Sequence, residues 1–233
     1  MQGKGITKYF LPTQREFEEG ENTSWTGNKM QGTVFIAASV DGFVAREDGD
    51  ISWLSPPPET SSSEALCSAL NEQDDMGFED LLNSIDCIVM GRKTFDTVVA
   101  FDEEAWPYRD IPMVVWSRDV AVVNSKFPEF IQLKGSVSAS SLSPTELFQS
   151  LENKGYTRCY VDGPTVIQNF LRDGLIHSIH ITSIPILLGK GIRLFSDDGA
   201  LQIQKDVMLT LVSSKSFKNG MVSSKYELIQ DKS

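Results

Sequence analysis

Three apolar runs in this chain each end on residues suited to holding phosphate. Cys87–Met90 (CIVM) runs into Gly91-Arg92-Lys93-Thr94. Met113–Trp116 (MVVW) runs into Ser117-Arg118. Cys159–Val161 runs into Asp162-Gly163-Pro164-Thr165. A glycine lets the backbone approach a ligand closely. A helix that opens there offers free N–H groups and positive partial charge, and Arg92 and Lys93 add full charges. Ser117 and Arg118 suit a 2′-phosphate, where a site for the unphosphorylated dinucleotide usually places an acid. Asp119 follows one residue on, and a tight turn with solvated bases is the plainer reading of each segment. The GxGxxG fingerprint is absent.

A fourth run, Thr33–Ser39 (TVFIAAS), leads into Val40-Asp41-Gly42-Phe43-Val44-Ala45 and on through Gly49 to Trp53. Its small residues Ala37 and Ala38 leave room for a flat ring against the backbone. A lone tryptophan such as Trp53 is ordinarily core or rim.

These segments need a sheet to align them. Continuous apolar runs separated by helical stretches imply a mainly parallel sheet covered by helices on both faces. In such sheets ligands sit at the carboxyl ends of the strands. The helical stretches are Gly77–Ser84, one beginning at Thr94, Pro144–Lys154 with Ser143 as N-cap and Gly155 as stop, and one from Pro164 through Leu171. Ser178–Ile184 is a further strand. Met208–Ser216 and Val222–Ile229, joined through Asn219-Gly220, read as an antiparallel C-terminal edge hairpin. Residues 1–32 read as an irregular N-terminal arm, leaving 33–233 as one domain. Ser55–Ser63 reads as a loop because three consecutive prolines continue neither helix nor central strand. Ser136–Ser143 reads as a serine-rich connector.

Bulk composition narrows the function classes. The 233 residues are 40% hydrophobic and 23% charged, ordinary for a globular protein. The net charge of −11 disfavours nucleic acid as a partner. Cys67, Cys87 and Cys159 form no CxxC pair, so neither a disulfide framework nor a metal site is expected. No apolar run is long enough for a membrane span and no secretory signal is visible, so the cytoplasm is the expected location.

The segments AASVDGFVA, DGDISWL, DCIVMGRKTFD, VVWSRD and YVDGPTVIQNFLRDGLIHSIHITSIPILLGKGIRLF together resemble the dihydrofolate reductase superfamily. The likeness runs over roughly residues 33–230. It is closest to the reductase domain of riboflavin biosynthesis, the RibD C-terminal type, and its bacterial relatives. It implies a dihydrofolate-reductase-like α/β fold and an NADPH-dependent reduction of a pterin-like, aminopyrimidine-like or carbonyl substrate. Gly91, Arg92, Lys93, Thr94, Gly163, Pro164 and Thr165 would hold the pyrophosphate and adenosine side. Ser117 and Arg118 would take the 2′-phosphate, and Ala38 and Ala45 the nicotinamide carboxamide. Trp53 would lie over the junction of substrate and nicotinamide. Asp75, sixteen residues before Gly91, would be the catalytic acid, supported by Thr182. Glu59 and Asp41 are rival acids, and N-capping is the plainer role for Asp74 and Asp75. Two departures stand out. Phe43 follows Asp41-Gly42 where a Lys or Arg is frequent, and no H-x-E accompanies His177 and His180, so a zinc deaminase domain is missing. Relatives of this branch commonly pair edge to edge, which implies a homodimer through Ile179, Ile181, Ile184 and Ile186. The competing readings are an NADP-binding protein without turnover, and a partner-binding module that uses the arm.

Overall fold

β1 (Gln31–Ser39) is the strand on which the sheet is organised, pairing in parallel with β6 (Arg158–Asp162) on one side and β7 (Ile176–Ile184) on the other. The computed structural model describes residues 29–54, 76–100, 106–125, 127, 131, 136–195 and 206–229. Beyond β6 lie β3 (Cys87–Gly91), β4 (Met113–Trp116) and β5 (Val137–Ser140), all parallel. Beyond β7 the direction reverses into β10 (Val222–Leu228) and the edge strand β9 (Leu209–Ser216). The order across the described sheet is β5-β4-β3-β6-β1-β7-β10-β9.

The central strands are apolar on both faces because helices cover both. On one face α1 (Phe78–Ser84), α2 (Arg92–Val98) and α3 (Val120–Asn124) bring Leu81, Leu82, Phe95 and Val123 against Ile88, Met90, Met113 and Val115. On the other, α4 (Pro144–Glu152) and α5 (Pro164–Arg172) bring Leu147, Phe148, Ile167 and Phe170 against Val34, Val89 and Val161. Burying a side chain of this kind contributes about 1.5–3 kcal/mol. α4 starts where the sequence indicates: Ser143 accepts from the Glu146 N–H and the Glu146 carboxylate reaches back, a complete capping box. No helix among the described residues is long and apolar enough to cross a membrane.

Several elements differ from the sequence expectation. β1 starts at Gln31, with Met30 already buried and its N–H donating to Glu152 at 2.7 Å, so ordered structure reaches into the stretch assigned to the arm. Residues 1–28 lie outside the described residues. The connector at Ser136–Ser143 contains β5. Val137 and Ala139 face the apolar cluster while the serines alternate outward, an edge-strand pattern hidden by its serine content. β2 (Phe43–Ala45) and β8 (Ile192–Arg193) form a separate two-stranded ribbon. β7 is no sheet edge. It lies between β1 and β10, and Ile179 and Ile184 are buried, so these residues cannot form the expected pairing face.

Candidate functional site

A cavity of about 1150 Å³ opens along the carboxyl ends of β4, β3, β6 and β1. Its two halves differ in chemistry.

The first half is basic and built on adjacent strands. β3 and β6 pair from Cys87↔Cys159 to Met90↔Asp162, so the turns that follow them lie side by side. Gly163 takes φ 89° and ψ 133° at the head of α5, and Pro164 fits the first helical position. A β-carbon on Gly163 would lie 2.5 Å from Thr94 Oγ1, and one on Gly91 would lie 3.1 Å from Val166 Cγ2. Close packing therefore fixes both glycines, and at Gly163 the positive φ does so as well. Arg92, Lys93, Ser117, Arg118, Pro164 and Thr165 complete this half. Arg92 also bonds Asp96 at 2.5 Å. Asp119 is the N-cap of α3, accepting from the Val122 N–H at 3.0 Å, so its carboxylate is committed to the helix rather than to a ribose diol. The residues present fit a dinucleotide that carries an extra phosphate.

The second half is aromatic. The ring of Phe35 lies 5.7 Å from Phe78, which in turn lies 6.3 Å from Tyr108. Tyr160 donates from its hydroxyl to the Phe35 carbonyl at 3.0 Å. Alternation along β6 sends Cys159 and Val161 to the α4–α5 face, and Tyr160 and Asp162 to this one. Asp162 is buried and lines the cavity. Burial pushes its carboxyl up to about 6, against the opposing pull of the Gly163 N–H and the Tyr160 hydroxyl. Burial, then the Asp162 charge, holds Tyr108 well above the ordinary phenol value.

In the sequence Asp162 stands only at the head of the Asp162-Gly163-Pro164-Thr165 segment, with no chemistry of its own assigned. The signal was an acid at a strand end, immediately before a Gly-Pro helix start.

Other residues singled out from the sequence stand differently. Ala45 lines the cavity, but on β1 it is Ala37 that does so, while Ala38 turns into the core. Trp53 packs behind the wall with Ile184 and Met221, and its neighbours Ile51 and Leu54 reach the cavity instead. Its indole N–H is buried with no hydrogen-bond partner among the described residues. Thr182 is buried and bonded to Ser223 at 3.2 Å, beside the 2.5 Å contact of Ser223 with His180. Asp41 accepts from Ser39 at 2.6 Å and from the N–H groups of Leu188 and Gly189 at 3.1 and 2.7 Å. The Ser39 hydroxyl, foremost, and those N–H groups hold its carboxyl down at about 2. It is a loop clamp outside the cavity lining, not a proton donor near neutrality. Asp75 and Glu59 lie outside the described residues.

A mainly parallel sheet with an antiparallel edge, helices on both faces and a cleft at the strand ends defines a dihydrofolate-reductase-like α/β protein. The chain belongs to the RibD C-terminal domain family, whose model matches residues 31–223. It is similar to a protein from Shewanella sp. PV-4 whose name assigns it to riboflavin biosynthesis, with 30% identity, a TM-score of 0.70, and coverage of 86% of this chain and 100% of that one. The likeness to the deaminase/5-amino-6-(5-phosphoribosylamino)uracil reductase of Thermotoga maritima, at 13% identity and TM-score 0.59, concerns the fold and spans 57% of that chain. The uncharacterized protein YwjB of Bacillus subtilis is 25% identical over 184 residues, 79% of this chain and 90% of that protein.

Proposed function

We propose that this protein is an NADPH-dependent reductase of a pyrimidine-like or related heterocyclic substrate. The observation that carries the reading is the contact of Gly163 with Thr94. It brings the start of α5, with its free N–H groups and positive partial charge, beside Arg92 and Lys93, with Ser117 and Arg118 across the same cleft. Thr94, Gly91 and Gly163–Thr165 would hold the pyrophosphate, and Ser117 and Arg118 the 2′-phosphate. When bound, the cofactor supplies a hydride to a C=N or C=O bond.

The chain's own residues do the rest. Ala37 and Ala45 leave the cleft open for a flat ring, and Phe35 and Phe78 exclude water from it. The reaction also needs a proton, and Asp162, with its raised pKa, holds one close to neutral pH inside the cavity. Asp75 and Glu59 are alternative donors. The family and the solved structures similar to this chain support the reading, as does the commitment of Asp119 to its helix.

The test is titration of the purified protein with NADPH and NADH, then the fall of reduced-nicotinamide absorbance when aminouracil, dihydropterin and dihydrofolate substrates are added. Tighter binding of NADPH with turnover of one substrate is the expected result. Binding without turnover of any would mark a cofactor-binding protein, and preference for NADH would overturn the 2′-phosphate assignment.

A further inference from the structure

The charge of the two cavity halves bears on the substrate. Among the described lining residues the bases are Arg92 and Lys93, which open α2 after β3, and Arg118, on the turn after β4. The aromatic half, around Phe35, Phe78 and Tyr108, presents a different set. Its buried carboxylate is that of Asp162; Glu47 and Asp48 also line the cavity, and so does Asp96, which is paired with Arg92. Arg109, next to Tyr108, is already bound to Glu79 and to Asn83 of α1. Lys190, close in sequence to the β8 strand, pairs with Glu47 at 2.8 Å.

The sequence extends the pattern. From Glu47 to Gly91 the chain contains no lysine, arginine or histidine, while acids recur throughout. This stretch supplies Ile51, Leu54 and Phe78 to the aromatic half. A doubly charged phosphate placed there would face carboxylates and meet no cation among the described lining residues, in a partly desolvated cleft where like charges repel strongly. A flat ring bearing N–H donors meets the reverse situation, stacking against aromatic faces and donating towards Asp162.

Resting on the reductase reading, we propose that the substrate is a planar, amino-bearing ring that carries no phosphate, in contrast to the phosphoribosyl substrate that names the Thermotoga maritima reductase. The three bases of the described lining then serve the cofactor, and selection against a phosphate comes from the carboxylates that line the same cavity.

A matched pair of probes tests this: 5-amino-6-(ribosylamino)uracil and its 5′-phosphate, each titrated calorimetrically into the full chain with and without saturating NADP⁺. The expected result is binding of the unphosphorylated probe about tenfold or more tighter than its phosphate, with the gap narrowing as salt is raised. The double variant E47K/D48K should also narrow the gap by strengthening binding of the phosphate alone. Equal or tighter binding of the phosphorylated probe overturns the proposal, as does failure of both probes to bind. Failure of NADP⁺ to bind defeats the cofactor reading instead, and the preference between the probes in the cofactor-free protein still decides the substrate class.

Discussion

Thr94 and Gly163, at the heads of the helices that follow two neighbouring strands, meet so closely that Thr94 Oγ1 lies 2.5 Å from where a β-carbon on Gly163 would stand. Gly163 also has φ 89°, a conformation that penalises any side chain. Gly163→Ala is therefore expected to destabilise the fold by about 1–3 kcal/mol and to weaken NADPH binding. Urea denaturation checks the first effect and NADPH titration the second. The double variant Thr94→Ala/Gly163→Ala relieves the contact but not the backbone strain, so it should recover only part of the loss. Full recovery would show that φ contributes nothing.

Arg118→Ala should cost about 1.5–3 kcal/mol of NADPH affinity, the range for a hydrogen bond to a charged group. NADH binding should be nearly unchanged. An equal loss for both dinucleotides, measured by titration, would mean that Arg118 does not contact the 2′-phosphate.

Asp162 makes stability depend on pH in a defined direction. Burial pushes its carboxyl from the ordinary 3.8 up to about 6 in the fold. The folded state thus retains the proton longer, and stability falls as pH rises from 4 to 6, by about 3 kcal/mol for a shift of this size. Asp162→Asn removes that slope. The variant should match or exceed the parent in chemical denaturation at pH 8, with a smaller advantage at pH 4. A variant less stable at pH 8 would show that the ionised carboxylate is accommodated without cost.

Asp41 acts with the opposite sign. Held at about 2, chiefly by the Ser39 hydroxyl, its carboxylate contributes stability above pH 4 that is lost as pH falls towards 2. Asp41→Asn should flatten the acid limb of the stability curve and leave the pH dependence of turnover near neutrality in place. A shift in the neutral pH–rate profile would return Asp41 to the list of proton donors.

Self-association is the remaining expectation from the sequence, and the geometry moves it to a different strand. β9 is exposed along its whole length at the sheet edge, with Leu211 and Val212 open to solvent. An edge with no partner strand among the described residues favours pairing with a second copy. Light scattering should give twice the chain mass of 25.9 kDa, and Val212→Lys should return it to one. A single chain mass for the parent protein at micromolar concentration removes the proposal.

The strands that carry the site were legible because strands buried on both faces leave continuous apolar runs. CIVM and MVVW became β3 and β4, and β6 was found short by one residue at each end. β5 was lost among serines because an edge strand needs only alternate apolar residues. The ribbon of β2 and β8 was invisible because two- and three-residue strands have no periodicity. At the site, the basic half followed from residue types at strand ends. The face to which a side chain points did not. One residue of register separates Ala37 in the cavity from Ala38 in the core. The unusual state of Asp162 depends on its burial in the assembled fold, which no local pattern records.

The position of β1 has a consequence for how the chain is made. It is made before every other described strand, yet both its sheet partners come late. The Phe35 carbonyl must wait for the Tyr160 hydroxyl, 125 residues downstream. At about 5–20 residues per second, that leaves an apolar strand unpaired for roughly 6–25 s of synthesis. During this interval Val34, Ile36 and Ala38 have no sheet to join, and the parallel pairing that finally accepts them is intrinsically slow to form. Protection of this one segment during synthesis is therefore a requirement that the finished fold no longer displays.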